Sequence, residues 1–218
     1  MLRILFIIAI YFAASSDTIA ADKAGTNTTD KASYIIGYNL GASLARDGVK
    51  LDIKSLIEGF STGQAKRPPK YSVEEMKEIV SGVRSDVVEV RKNHEIAFLE
   101  QNKKNTNVVV TDSGLQYQII EPGEGTSPKP HEIVTVNYTG HLIDGREFDN
   151  SYKRKKATVV AIESMLPGWK EAIVKMKPGS QWRLFIPSEL GYGKTGAPPR
   201  IPPHATLIFN VELVKVGL

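Results

Sequence analysis

The chain contains no cysteine. Disulfides, thiolate zinc sites, a cysteine nucleophile and a lipid on an N-terminal cysteine are therefore excluded, and packing alone must hold the fold. Long apolar runs are nearly as scarce. One stands at Ile4–Ala14 and no second follows, which excludes a bundle of membrane-spanning helices, each needing about 20 apolar residues. No G-x-S-x-G, H-E-x-x-H or phosphate-binding glycine loop occurs, so the common signatures of serine hydrolases, zinc peptidases and nucleotide enzymes are missing. The four histidines, His94, His131, His141 and His204, form no ligand pattern with nearby carboxylates and read as surface or packing residues. The net charge is only +4, with basic residues spread among acidic ones, which gives no reason to expect nucleic acid as a partner. With 41% hydrophobic and 24% charged residues, what remains is ordinary soluble globular protein.

The one apolar run has its own reading. Arg3 precedes it, and small residues ending in Thr18-Ile19-Ala20-Ala21 follow. This is the pattern of a secretory signal peptide over residues 1–21, cleaved after Ala20 or Ala21, with an uncleaved anchor as the alternative. The expected location is outside the cytoplasm: periplasm, outer cell surface or secretion.

Residues 22–29 are small or polar and read as a flexible leader, with structure beginning near Asp30. From Ala32 to Ala45 the residues Ile36, Leu40 and Leu44 recur every four, and Gly48 stands where a helix C-cap would. Gly37 and Gly41 share a face of that helix, where small residues admit a second backbone. Ile53, Leu56, Ile57 and Phe60 suit a second helix capped by Asp52 and ended before Pro68-Pro69. The third opens with Ser72 and Glu75 as a capping box and meets no proline until Pro122. If it runs from Val73 to near Lys104 it spans roughly 45 to 50 Å. Its stripe of Met76, Val80, Val83, Val87, Val90, His94 and Ala97 is apolar early and polar late, and Glu89 to Glu95 reads as a solvated connecting segment. Three such helices make a poor core alone. Residues 30–106 are therefore expected to be a helical dimerisation module, with a monomeric cap on the second domain as the alternative.

After Asn105 the period changes to alternation: Leu115, Tyr117, Ile119; Val134, Val136, Tyr138; Leu184, Ile186; and Leu207, Phe209, Val211, Leu213. Asp144-Gly145 marks a hairpin turn. One short helical stretch, Gly168 to Met176, interrupts the strands. The expectation for residues 107–218 is a curved antiparallel sheet wrapped on a short helix, of α+β class. The basic run Lys153 to Lys156 reads as a solvated turn.

The second half also carries, in order, VNYTG, DGREFDNS, LPGWKEAI, GYG and IPPHATLIFNVEL. Together these resemble the FKBP-type peptidyl-prolyl isomerase domain. GYNLGASL and the strand GLQYQII before them resemble the macrophage infectivity potentiator group, whose members are exported dimers joined through N-terminal helices. The resemblance implies an isomerase acting on proline-containing unfolded or extended polypeptides, needing no cofactor or metal, and taking macrolides such as rapamycin as inhibitors. It places the catalytic pocket at Tyr138, Phe148, Asp149, Trp169 and Tyr192, with Val160, Met165, Leu166, Ile201 and Phe209 binding substrate. Trp169 would form the floor, Tyr192 and the Leu166 N–H would hold substrate carbonyls, and Asp149 would sit near the isomerising amide.

Val160 stands where the family usually has an aromatic wall, so a wider cup and weaker macrolide binding are expected, and Ala197 likewise offers no large side chain. A dimeric peptide-binding chaperone with little turnover is the competing reading, since two cups would gain avidity for unfolded chains.

Overall fold

The computed structural model describes residues 25–46 and 48–217. The signal-peptide reading falls on residues 1–21, outside them. The chain divides into two compact units, one up to Ala45 and one from Arg46 onward.

The described residues of the first unit all lie in α1 (Gly25–Arg46), whose last residue opens the second unit. The helix begins inside the stretch read as leader. Tyr34, Ile35, Ile36, Tyr38 and Leu40 are all exposed, and a Cβ on Gly37 or Gly41 would meet nothing within 4 Å.

In the second unit, α2 (Ile53–Gln64) starts at Asp52, whose carboxylate accepts the Ser55 N–H at 2.8 Å. The helix α3 (Val73–Asn102) has the expected capping box: Glu75 accepts the Ser72 N–H at 2.8 Å and Ser72 accepts the Glu75 N–H at 3.2 Å. Its 30 residues span about 45 Å. Ile53, Ile57, Phe60, Ile79, Val80, Val83 and Val90 leave an apolar face open to solvent on these helices.

In the stretch read as a solvated connector, Glu89, Val90, Asn93 and His94 are exposed and Arg91 and Lys92 half-buried, but from Glu95 onward α3 docks on the second half of the chain. Glu95 is 7% exposed, and its Oε2 accepts the backbone N–H of Thr206 at 3.0 Å. Asn102 donates from Nδ2 to Oε1 of Gln116 at 2.8 Å, and Gln116 donates from Nε2 to the Leu99 carbonyl at 3.0 Å. The Phe98 and Phe185 rings lie 6.1 Å apart. At Glu95 and Asn102 polarity marks specific hydrogen bonds, to the Thr206 amide and to Gln116 of the sheet, rather than exposure. Residues 106 and 107 consequently lie inside this unit.

The sheet comprises β1 (Val109–Val110), β2 (Gln116–Glu121), β3 (Ile133–Leu142), β4 (Glu147–Asn150), β5 (Thr158–Ala161), β6 (Gln181–Ile186) and β7 (Leu207–Val216). All pairings are antiparallel, in the order β1-β2-β6-β7-β3-β4, with β5 also on β3. The short helix α4 (Pro167–Ile173) supplies Trp169, Ala172 and Ile173, which share one buried cluster with Leu184, Ile186, Leu207, Phe209, Val211 and Leu213. The class is α+β, as the change of period from 3.6 to 2 implied. Alternation fails at Ile119, which is 48% exposed. There β1 covers only Gln116 and Tyr117, so the rest of β2 is an edge. Among the described residues, no helix is long and apolar enough to cross a membrane.

Candidate active site

Between α4, the inner face of the sheet and the loop before β7 lies a cavity of about 420 Å³. Every site residue expected from the sequence lines it. Strand β3 contributes Tyr138, β4 contributes Phe148 and Asp149, β5 contributes Val160, and Met165 and Leu166 lead into Trp169 of α4. Tyr192 and Ile201 come from the loop, Phe209 from β7, and Ala197 closes part of the wall without a large side chain.

The rings meet edge to face. Trp169 lies 5.1 Å from Phe209 at 79° and 5.3 Å from Tyr138 at 81°, while Phe148 lies 5.4 Å from Phe209 at 89°. Such contacts add about 0.5–1.5 kcal/mol each beyond burial, which fixes the rings as a rigid box. Gly140 of β3 makes the box possible, because a Cβ there would stand 2.7 Å from the Phe148 ring and 2.8 Å from that of Phe209. The backbone N–H of Leu166 has no hydrogen-bond partner among the described residues.

One edge of the cup is polar. Tyr138 donates its hydroxyl to Oδ2 of Asp149 at 2.6 Å, and the Asn150 N–H donates to Oδ1 at 2.8 Å. Arg154 donates from Nη1 to Oδ1 of Asp149 and from Nη2 to the Tyr138 oxygen, the latter at 3.0 Å. Partial burial pushes the Asp149 carboxyl up, but the bonds from Tyr138, Arg154 and Asn150 outweigh it and hold the carboxyl below its ordinary range. Burial and the Asp149 carboxylate push the Tyr138 hydroxyl up, against Arg154. Asp149 is therefore an anion with its charge already matched. Among the described residues, no cluster of three histidine or carboxylate side chains could hold a metal ion.

Residues 124–214 match the family described as FKBP-type peptidyl-prolyl cis-trans isomerase, and residues 29–119 match the domain amino terminal to it. The chain is 37% identical to the outer membrane protein MIP of Legionella longbeachae, across 95% of both chains. It is 37% identical to the FKBP-type 22 kDa peptidyl-prolyl cis-trans isomerase of Escherichia coli, over 85% of this chain and 94% of the other. The chain belongs to the FKBP-type peptidyl-prolyl cis-trans isomerase family. The crystal structure of FkpA from Escherichia coli shares this enzyme's fold, with a TM-score of 0.58 and 36% identity over 86% of this chain and 95% of that one.

The site of this FKBP-type isomerase includes a residue that sequence reading placed elsewhere. Arg154 belongs to the run taken as a solvated turn, yet its guanidinium covers the Tyr138 ring at 5.4 Å and grips Asp149. The turn folds back because Ser151, fully buried, accepts the Tyr138 N–H at 2.8 Å, and the Arg154 N–H then returns to the Ser151 carbonyl at 3.1 Å. The available signal was a small polar residue, Ser151, shortly after Asp149 in a run otherwise long and charged. Thr158, Ser164 and Arg200 also line the cavity without having been singled out.

Proposed function

We propose that this isomerase accelerates rotation about X–Pro bonds in exported polypeptides by holding the twisted amide in the apolar cup. The observation that carries this is the edge-to-face aromatic box floored by Trp169, with one matched ion pair at its edge. Amide delocalisation opposes rotation by about 18 to 20 kcal/mol. In the twisted state that delocalisation is lost, the amide is less dipolar and needs less water, so an apolar cup favours it over the planar state. Each ~1.4 kcal/mol of such preference gives tenfold in rate. In this reading Trp169 supports the proline ring, the Tyr192 hydroxyl and Leu166 N–H donate to substrate carbonyls, and Asp149 stands beside the rotating amide. Phe148, Met165, Ile201 and Phe209 enclose the ring, and Val160 leaves room that an aromatic wall would fill, which weakens a macrolide such as rapamycin.

The open apolar faces of α1, α2 and α3 support a homodimer formed through residues 30–106, and the signal-like N-terminus supports export to the periplasm or cell surface. A protease-coupled assay of the mature chain on prolyl tetrapeptides tests the activity. Turnover should fall in both Asp149→Ala and Tyr192→Phe; the melting temperature should hold in Tyr192→Phe and drop in Asp149→Ala, which loses the bonds to Tyr138 and Arg154. A wild-type rate no greater than the uncatalysed one refutes the proposal. Suppression of aggregation of a proline-free client without any such rate would favour the peptide-holding chaperone instead.

A further inference from the structure

Two residues lining the cavity carry charge, Asp149 and Arg200. They are not equivalent. Asp149 is matched by Arg154 and hydrogen-bonded to Tyr138, so it presents little net field to a substrate. Arg200 forms no ion pair among the described residues; its Nη1 donates only to the Phe148 carbonyl, at 3.3 Å. Its backbone is nonetheless held firmly. Ala197 and Ile201 exchange two backbone hydrogen bonds, of 2.8 and 3.0 Å, around the turn that bears it, and Ile201 is 4% exposed. The acidic residue on the neighbouring strand is already engaged, since Glu147 takes Lys153 at 2.6 Å and Asn150 at 2.8 Å.

Among the described residues lining the pocket, Arg200 is thus the cation without an ion pair, a fork-shaped group with spare N–H donors beside the wall that Phe148 forms. We propose that Arg200 is a specificity-determining residue that selects prolyl substrates with a carboxylate side chain adjacent to the proline. This rests on the reading of the cavity as the prolyl site. A proline seated on Trp169 fills the apolar interior, so the residues before and after it must pass the rim, where a guanidinium can take a carboxylate in two parallel hydrogen bonds. A lysine at the same place meets like charge. Exposed pairs contribute at most about 1 kcal/mol, which corresponds to roughly a two- to fivefold preference and sets the size of the effect.

Two series of tetrapeptides distinguish the two sides of the proline: one varies the preceding residue among Glu, Gln and Lys, the other varies the following residue likewise. The kcat/KM of the full mature chain should rank Glu above Gln above Lys in one series by about two- to fivefold per step at low salt, and the spread should shrink at about 0.5 M salt, where the screening length falls to a few ångströms. Arg200→Leu should collapse the Glu-to-Lys ratio to near one, Arg200→Glu should invert it, and Arg200→Lys should keep part of it. Equal turnover of Glu, Gln and Lys peptides in both series overturns the assignment to Arg200 and leaves the isomerase reading standing. A Glu-to-Lys ratio unchanged in Arg200→Leu overturns it as well. Failure to turn over any peptide, Gln included, instead overturns the isomerase reading beneath it.

Discussion

Glu95 offers the sharpest perturbation of the structure, because a carboxylate that is 7% exposed accepts the Thr206 N–H at 3.0 Å. Burial pushes its carboxyl above the ordinary value, opposed by the Thr206 amide and the neighbouring His94 and Arg91. A folded state that binds this proton more tightly than the unfolded chain gains stability below the unfolded pKa, about 4.3, and loses it as pH rises through the folded one. Glu95→Gln keeps an acceptor for Thr206 and removes the buried charge. It should therefore melt at or above the wild-type temperature at pH 7 and lose less stability than wild type between about pH 4.5 and neutrality. Glu95→Ala removes the acceptor and leaves the Thr206 N–H buried, at a cost of about 1–3 kcal/mol. At roughly 2–4 °C per kcal/mol for a chain of this length, a cost near 2 kcal/mol lowers the melting temperature by about 4–8 °C. Calorimetry across pH 4 to 8, read as variant minus wild type, cancels opposing carboxylates such as Asp149, whose depressed pKa gives stability that is lost on acidification. If Glu95→Gln falls as far as Glu95→Ala at pH 7, the negative charge itself is stabilising and the burial argument is wrong. If Glu95→Ala melts like wild type, the docking of α3 on Thr206 contributes nothing.

Gly140→Ala drives a Cβ to 2.7 Å from the Phe148 ring, so it should cost about 1–3 kcal/mol and raise the KM for prolyl peptides; unchanged melting and KM would show that the box has slack. Arg154→Leu removes one of the contacts that depress Asp149, so the acid limb of the kcat/KM profile should move to higher pH, and an unmoved limb would detach Asp149 from turnover. Val160→Phe should tighten rapamycin about two- to tenfold through one added ring contact, whereas no tightening together with a lower melting temperature would mark Val160 as a packing residue. A Cβ on Gly37 would meet nothing within 4 Å among the described residues, so weaker assembly of Gly37→Leu by light scattering would report a partner helix, and unaltered association would remove Gly37 from the dimer contact.

The sequence spoke most clearly where a side chain's fate depends on period alone. Leu184, Ile186, Leu207, Phe209, Val211 and Leu213 alternate and are all buried, because a pleated strand sends every second residue to the same face. Ser72 and Glu75 marked the start of α3 because a capping box is local, made within one turn. Period fails where partners are distant along the chain. Glu95 looks solvated because Thr206, its partner, is far away in sequence, and Ile119 looks buried because no local rule says that β1 ends at Val110. The pocket residues were gathered by ordered motifs, carried on strands, on α4 and, for Tyr192 and Ile201, on the loop before β7. Loops also supplied Arg154 and Arg200, whose positions depend on how Ser151 and Ile201 are buried rather than on any pattern of their own.

The placement of Arg154 bears on why an apolar cup carries a carboxylate at all. On the proposed reaction, a planar amide is the more dipolar partner and the twisted amide the less dipolar one, so an unmatched anion at the wall would hold water and favour the planar state. Asp149 avoids this because Arg154 and Tyr138 absorb its field, and Tyr138 in turn belongs to the aromatic box through Trp169 and Phe209. The pair acts as a fixed, preorganised dipole at one edge, oriented before substrate arrives, and needs no rearrangement when the bond twists. A charge placed without a partner belongs at the rim of the cup, where water and salt limit its influence to the choice of substrate. Arg200 is in that position, exposed on its turn while Ile201 beside it is buried in the wall. Matched charge inside and unmatched charge at the rim thus divide turnover from selection between two arginines that composition alone could not tell apart.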